Sequence, residues 1–62
     1  MPTYRAYLLD DAGEIRRREW IEAGDDGEAI RKAHDLCTPK EPAVELWQGA
    51  RMVTALPCDP QA

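Results

Sequence analysis

One amphipathic stretch, Gly24 to Cys37, constrains the fold of this chain more than any other feature. Asp25 stands directly before an alternation of apolar and charged residues, and Glu28 follows three positions later. The pair has the form of a capping box, with Asp in place of Ser or Thr. Ala29, Ile30, Ala33, Leu36 and Cys37 then recur at spacings of three and four. At about 100° per residue they fall within an arc of about 120°, the width of one core-facing stripe. Glu28, Arg31, Lys32 and Asp35 cover the opposite side. The spacing predicts a single helix, and the flanking segments read as short strands that need its stripe to cover them.

A chain of 62 residues allows a single small domain over 1–62. At this size only about 60 % of the unfolded surface is buried on folding, so a lone core is often reinforced by a disulfide, a metal or a partner chain. The net charge of −4 argues against a general nucleic-acid binder, which needs a basic footprint to displace counterions. It argues equally against an anionic membrane surface. No apolar run approaches the length of a spanning helix. Residues 1–11 have no basic segment followed by an apolar one, so no signal peptide is expected. The expected location is cytoplasmic, and in that compartment two cysteines default to free thiols. The sequence contains no Ser, Asn or Phe, so a serine nucleophile is excluded, and the aromatic content rests on Tyr4, Tyr7, Trp20 and Trp47.

Along the chain, Tyr4–Leu9 reads as a first strand and Glu14–Ala23 as a second, antiparallel to it. Gly13 suits the left-handed position of a three-residue hairpin loop with a bulge. That loop sets Leu9 against Ile15 and Tyr4 against Trp20; a four-residue loop would set Leu8 against Ile15. Parity places Ile15 and Ile21 on one face and Arg16, Arg18 and Trp20 on the other. Pro39 ends the helix. Ala43–Gln48 and Arg51–Leu56 form a second hairpin about a primed-type turn at Gly49-Ala50. In that register Trp47 opposes Met52, Leu46 opposes Val53 and Val44 opposes Ala55. Val44, Leu46, Val53 and Ala55 then share one face, and Glu45, Trp47, Met52 and Thr54 the other. Residues 57–62 are expected to be a mobile tail.

The expected fold is α+β: a two-layer sandwich of a four-stranded, mostly antiparallel sheet with one helix on one face, in the order β-β-α-β-β. The first strand, the most apolar, is expected inside the sheet. The face without the helix carries Trp47, Met52 and Trp20, with Tyr4 or Leu8 as further candidates.

The chain resembles a group of short, uncharacterised bacterial proteins. The resembling residues are Tyr4-Arg5-Ala6-Tyr7-Leu8-Leu9-Asp10, Gly13, Ile15 and Glu19-Trp20-Ile21-Glu22-Ala23. Asp25, Asp26, Glu28, Ala29 and Glu45-Leu46-Trp47-Gln48-Gly49-Ala50-Arg51 continue it, so the likeness spans roughly Tyr4 to Val53. It implies a β-β-α-β-β pattern and supplies no functional residues. A weaker likeness is to the small domain of HicB-type antitoxins, which also begins with a strand, a Gly-containing hairpin and a helix opening on acidic residues. The present chain lacks that family's third strand before the helix and its DNA-binding tail.

Several residue groups are candidates for chemistry. His34 and Cys37 meet on one helical flank, and Cys58 with Asp59 could approach them, giving either a weak zinc site or a Cys37–Cys58 disulfide. A Cys37 nucleophile is disfavoured at a helix C-terminus, where the dipole opposes a thiolate. Asp10-Asp11 and Asp25-Asp26 read as turn and cap chemistry. Arg16-Arg17-Arg18, with Arg5 and Arg51, is the one basic concentration. It reads as protection against edge pairing, or as a docking surface for an acidic partner or a phosphate. Trp20, Trp47 and Met52 together suggest a contact surface. The expectation is a non-enzymatic interaction module without cofactor. It would self-associate as a homodimer through the aromatic face. The alternatives are an antitoxin-like or regulatory partner of another protein, using Arg16 and Arg18, and a small-ligand or metal-binding protein.

Overall fold

Alternation in the first strand decides the two sides of the sheet. Along Thr3–Leu9 (β1) the residues Tyr4, Ala6 and Leu8 are buried, while Thr3 and Arg5 are exposed and Tyr7 and Leu9 are half-buried. Successive side chains of a strand point to opposite faces, so β1 has a wholly apolar side and a mixed side. The computed structural model describes residues 2–58. They form four strands and one helix in the order β1, β2 (Ile15–Glu22), α1 (Asp26–Asp35), β3 (Ala43–Gln48) and β4 (Arg51–Pro57). The strands make one antiparallel sheet of order β2-β1-β3-β4, with β1 in the interior as its composition predicts. The helix covers one face, so the α+β two-layer architecture is the observed one.

The helix starts where its capping residues place it. Asp25 is the N-cap, and its Oδ1 accepts from the Glu28 amide at 2.8 Å. Glu28 completes the reciprocal half of the motif one residue earlier than in a standard capping box: its Oε1 accepts from the Gly24 amide at 2.7 Å. The last turn tightens, with Leu36 and Cys37 amides donating to the Ala33 and His34 carbonyls. Ala29 and Ala33 are fully buried against the sheet, and Ile30, Leu36 and Cys37 pack at the stripe's edges.

Both hairpin turns match the sequence reading. Gly13 has φ +82°, and its amide donates to the Asp10 carbonyl at 2.9 Å. Asp10 Oδ1 accepts from the Ala12 and Glu14 amides, each at 2.9 Å. Gly49 has φ +61° while Ala50 has no positive φ, which fits the type II′ member of the primed turns.

The register departs from expectation beyond each turn, in the same manner. Leu9 pairs with Ile15, but Leu8 pairs with Arg17, leaving Arg16 as an extra residue on β2. Tyr4 therefore pairs with Ile21, not Trp20. Trp47 pairs with Met52, but Leu46 pairs with Thr54 and Val44 with Leu56, leaving Val53 as the extra residue on β4. A bulge of this kind reverses the facing of everything after it. Ile15 and Ile21 thus lie on opposite faces. Ala55 is exposed opposite Glu45, while Thr54 and Leu56 turn to the helix side. Val53 packs against the core as expected. Tyr4 and Leu8 belong to the core and not to the uncovered face.

Pro57 closes β4, one residue beyond the expected strand end, and Cys58 follows it. Of the tail expected over 57–62, residues 59–62, including Asp59, lie outside the described residues.

Candidate functional site

The face without the helix carries several large side chains that no other element of the described residues covers. Backbone pairing aligns them in rows across the four strands. Trp20, Arg5, Trp47 and Met52 form one row, in strand order. Arg18, Tyr7, Glu45 and Ala55 form the next, and Ile15, Leu9, Ala43 and Pro57 the third. Trp20 is 67 % exposed, Ile15 47 % and Met52 42 %, while Trp47 is half-buried. Several large apolar groups on one face are more informative than any one of them alone.

The polar atoms on this face hold the aromatic rings in place. The Arg5 guanidinium carbon lies 4.6 Å from the Trp20 ring centroid, a cation–π contact, and 6.0 Å from that of Tyr7. Arg5 Nη1 donates to Tyr7 Oη at 3.0 Å, and Trp47 Nε1 donates to Glu45 Oε1 at 3.2 Å. These contacts lie within the sheet surface: Arg5 covers part of the Trp20 ring, and the residue still remains exposed. Trp20, Trp47 and Met52 lie on the face where the sequence predicts them, and Arg5, Tyr7 and Ile15 join them there. The period-2 alternation of β1 was the signal for Arg5 and Tyr7. Ile15 was hidden by the bulge.

The basic concentration does not form one surface. Arg18 joins the uncovered face beside Tyr7. Arg16 turns away from it, to 4.0 Å from Glu41 Oε2, so Arg16 and Arg18 do not share the Trp20 face. Arg17 points beneath the sheet: its Nε and Nη2 donate to the two Glu41 oxygens at 3.1 and 2.9 Å, and Nη2 also donates to the Leu36 carbonyl at 2.8 Å. A cation is thereby set on the negative end of the helix. Glu41 is buried, and the Arg17 hydrogen bonds hold its carboxyl below the usual range against the opposing effect of burial. Thr38 Oγ1 donates to the same carboxylate at 3.0 Å.

Asp26 plays the matching part at the other end of the helix. It accepts from the two terminal guanidinium nitrogens of Arg51, at 3.1 and 3.2 Å, and from the Tyr4 hydroxyl at 2.8 Å. The Arg51 bond, followed by the Tyr4 bond, lowers the Asp26 carboxyl; the Asp26 bond in turn raises the Tyr4 phenol. Asp10 and Asp25 thus serve the turn and the cap, as the sequence predicts, whereas Asp26 ties the helix start to β1 and β4, a role beyond that expectation.

The weak metal candidates do not assemble. Cys37 and Cys58 are joined in a disulfide, with Cα atoms 5.6 Å apart, so neither sulfur is a thiolate ligand beside His34. This also replaces the free-thiol expectation. Among the described residues no cluster of three or more His, Cys, Asp or Glu side chains could hold a metal ion. His34 sits on the outer helix flank, at an open groove of about 500 Å³ between the helix and Leu56. No protein-family model, curated protein or solved structure matches the chain.

Proposed function

We propose that the protein is a non-enzymatic interaction module that self-associates through its uncovered sheet face. The observation that carries this reading is the row Trp20, Arg5, Trp47 and Met52: large apolar rings, aligned by the backbone and spaced by a cation, on a face that nothing in the described chain covers. Charge supports it. The face carries two arginines, Arg5 and Arg18, and two glutamates, Glu22 and Glu45, so the chain's net −4 resides elsewhere. Two copies can approach face to face without net repulsion. The edges are less suited. An antiparallel β2–β2 pairing would set the exposed Arg16 and Arg18 of both copies side by side, and Pro57 lacks the amide that extension of β4 would use.

Sedimentation over micromolar concentrations tests the reading. A shift from the 7.0 kDa chain toward twice that mass with rising concentration is expected, and a 7.0 kDa species throughout would overturn it.

No helix among the described residues is long and apolar enough to cross a membrane. Cytoplasmic residence remains part of the proposal, with one observation set against it: a reducing cytosol would open the Cys37–Cys58 bridge. Alkylation of acid-quenched cells decides the point. Two free thiols support the cytoplasm, and an intact bridge supports an oxidising compartment.

A further inference from the structure

Resting on that reading, we infer that the partner is a second copy docked face to face about a two-fold axis running along the strands, between β1 and β3, so that β2 of one copy lies over β4 of the other. The argument comes from side-chain size. On the uncovered face the β2 side is thick, with Trp20, Arg18 and Ile15, and the β4 side is thin, with Met52, Ala55 and Pro57. The face is therefore a wedge.

A two-fold along the strands reverses left and right but keeps each row opposite itself. Thick then meets thin in every row: Trp20 over Met52, Arg18 over Ala55, and Ile15 over Pro57 of the partner copy. In the central strands Arg5 comes over the second copy's Trp47, a cation–π pair made twice. Tyr7 comes over Glu45, which its hydroxyl can reach as a donor. Arg18 lands beside the same carboxylate, since Glu45 and Ala55 are paired neighbours. A two-fold running across the strands would instead stack β2 on β2. Trp20, Arg18 and Ile15 would then crowd one another, the two Arg18 charges would converge, and a gap would open over β4.

Four strands about 4.8 Å apart and six residues at about 3.3 Å each give a footprint of roughly 20 Å by 20 Å, before counting side-chain relief. Two such faces give about 800 Å² before that relief is counted, so the protruding Trp20, Arg18 and Ile15 side chains must supply the rest of the roughly 1,000 Å² that a specific interface should clear. Sheets stacked in this way keep their strands within about 30° of each other, which the shared axis permits.

Cysteine pairing tests the orientation. Residues 18 and 55 lie on the two outer strands of one chain, too far apart to bridge within it. The double variant Arg18→Cys, Ala55→Cys is expected to give a covalent dimer on mild oxidation, with the 18–55 link identified by mass spectrometry. Arg18→Cys alone is expected to give none. A covalent dimer from Arg18→Cys alone, or none from the double variant, overturns the orientation if the unmodified chain still sediments as a dimer. A monomeric unmodified chain overturns the self-association reading itself. Ala55→Arg gives an independent check: adding bulk to the thin side is expected to weaken self-association roughly tenfold or more, with the thermal transition of the monomer retained. Unchanged association would overturn the wedge argument.

Discussion

The two faces of one sheet are built on opposite rules. Between helix and sheet the buried residues include four alanines, Ala6, Ala23, Ala29 and Ala33, and the larger groups are Tyr4, Leu8, Val44, Leu46 and Ile21. Small residues let the helix approach closely, and charged groups at its two ends fix where it lies. Arg17 with Glu41 holds the C-terminal end, and Asp26 with Arg51 and Tyr4 holds the N-terminal end. On the other face both tryptophans stand outward, with no comparable anchor beneath a covering element. A 62-residue chain has few large apolar side chains to distribute. Placing its bulkiest ones outside the core indicates that the core is not where they are used.

Neighbouring residues make the difference measurable. Leu46 and Trp47 are adjacent on β3 but face opposite ways. Leu46→Ala is expected to destabilise the monomer by about 2–5 kcal/mol, enough to unfold much of a domain this small at 25 °C. Urea titration at low protein concentration measures it, and a small effect would mean the covered side is not the core. Cys37→Ser comes next. The bridge spans 21 residues, and opening it should remove about 3 kcal/mol through greater freedom of the unfolded chain. The denaturation midpoint with and without reductant checks this.

Arg17→Met should have a smaller effect that depends on pH. Glu41 titrates below its ordinary value because Arg17 bonds its ionised form. A carboxyl lowered by folding contributes stability above its unfolded pKa and loses that contribution as pH falls through the lowered value. The variant should therefore fall short of the unmodified chain at neutral pH, with the gap closing in acid. A gap independent of pH would mean that Arg17 acts by packing alone. The smallest effect on folding belongs to Trp20→Ala, expected to shift monomer stability by about 0.5 kcal/mol or less while abolishing most self-association. Loss of stability comparable to Leu46→Ala would erase the distinction between the faces.

The sequence made the elements and turns readable because their signals are local. Asp25 and Glu28 mark a helix start, Gly13 and Gly49 accept left-handed backbone, and Pro39 stops a helix. The bulges were not readable. Nothing in Arg16-Arg17-Arg18 tells which arginine is the extra one; the choice is made by Glu41 and the Leu36 carbonyl, which lie about twenty residues away. On β4 the extra residue is Val53, and plain alternation around it gave an equally reasonable pairing. Trp47 and Met52, which mark the uncovered face, pair before the bulge, so they oppose each other in either register. Trp20 reached that face by a different register from the one expected. Arg16 was lost from it for the same reason.

The Cys37–Cys58 bond also decides how the molecule carries load. It closes residues 37–58 into a covalent ring that contains β3 and β4. Tension applied between the N-terminal strand and Cys58 runs through the sulfurs, so stretching can draw out β1, β2 and the helix while the second hairpin stays unstretched. Backbone cleavage at the Gly49-Ala50 turn would likewise leave one connected molecule.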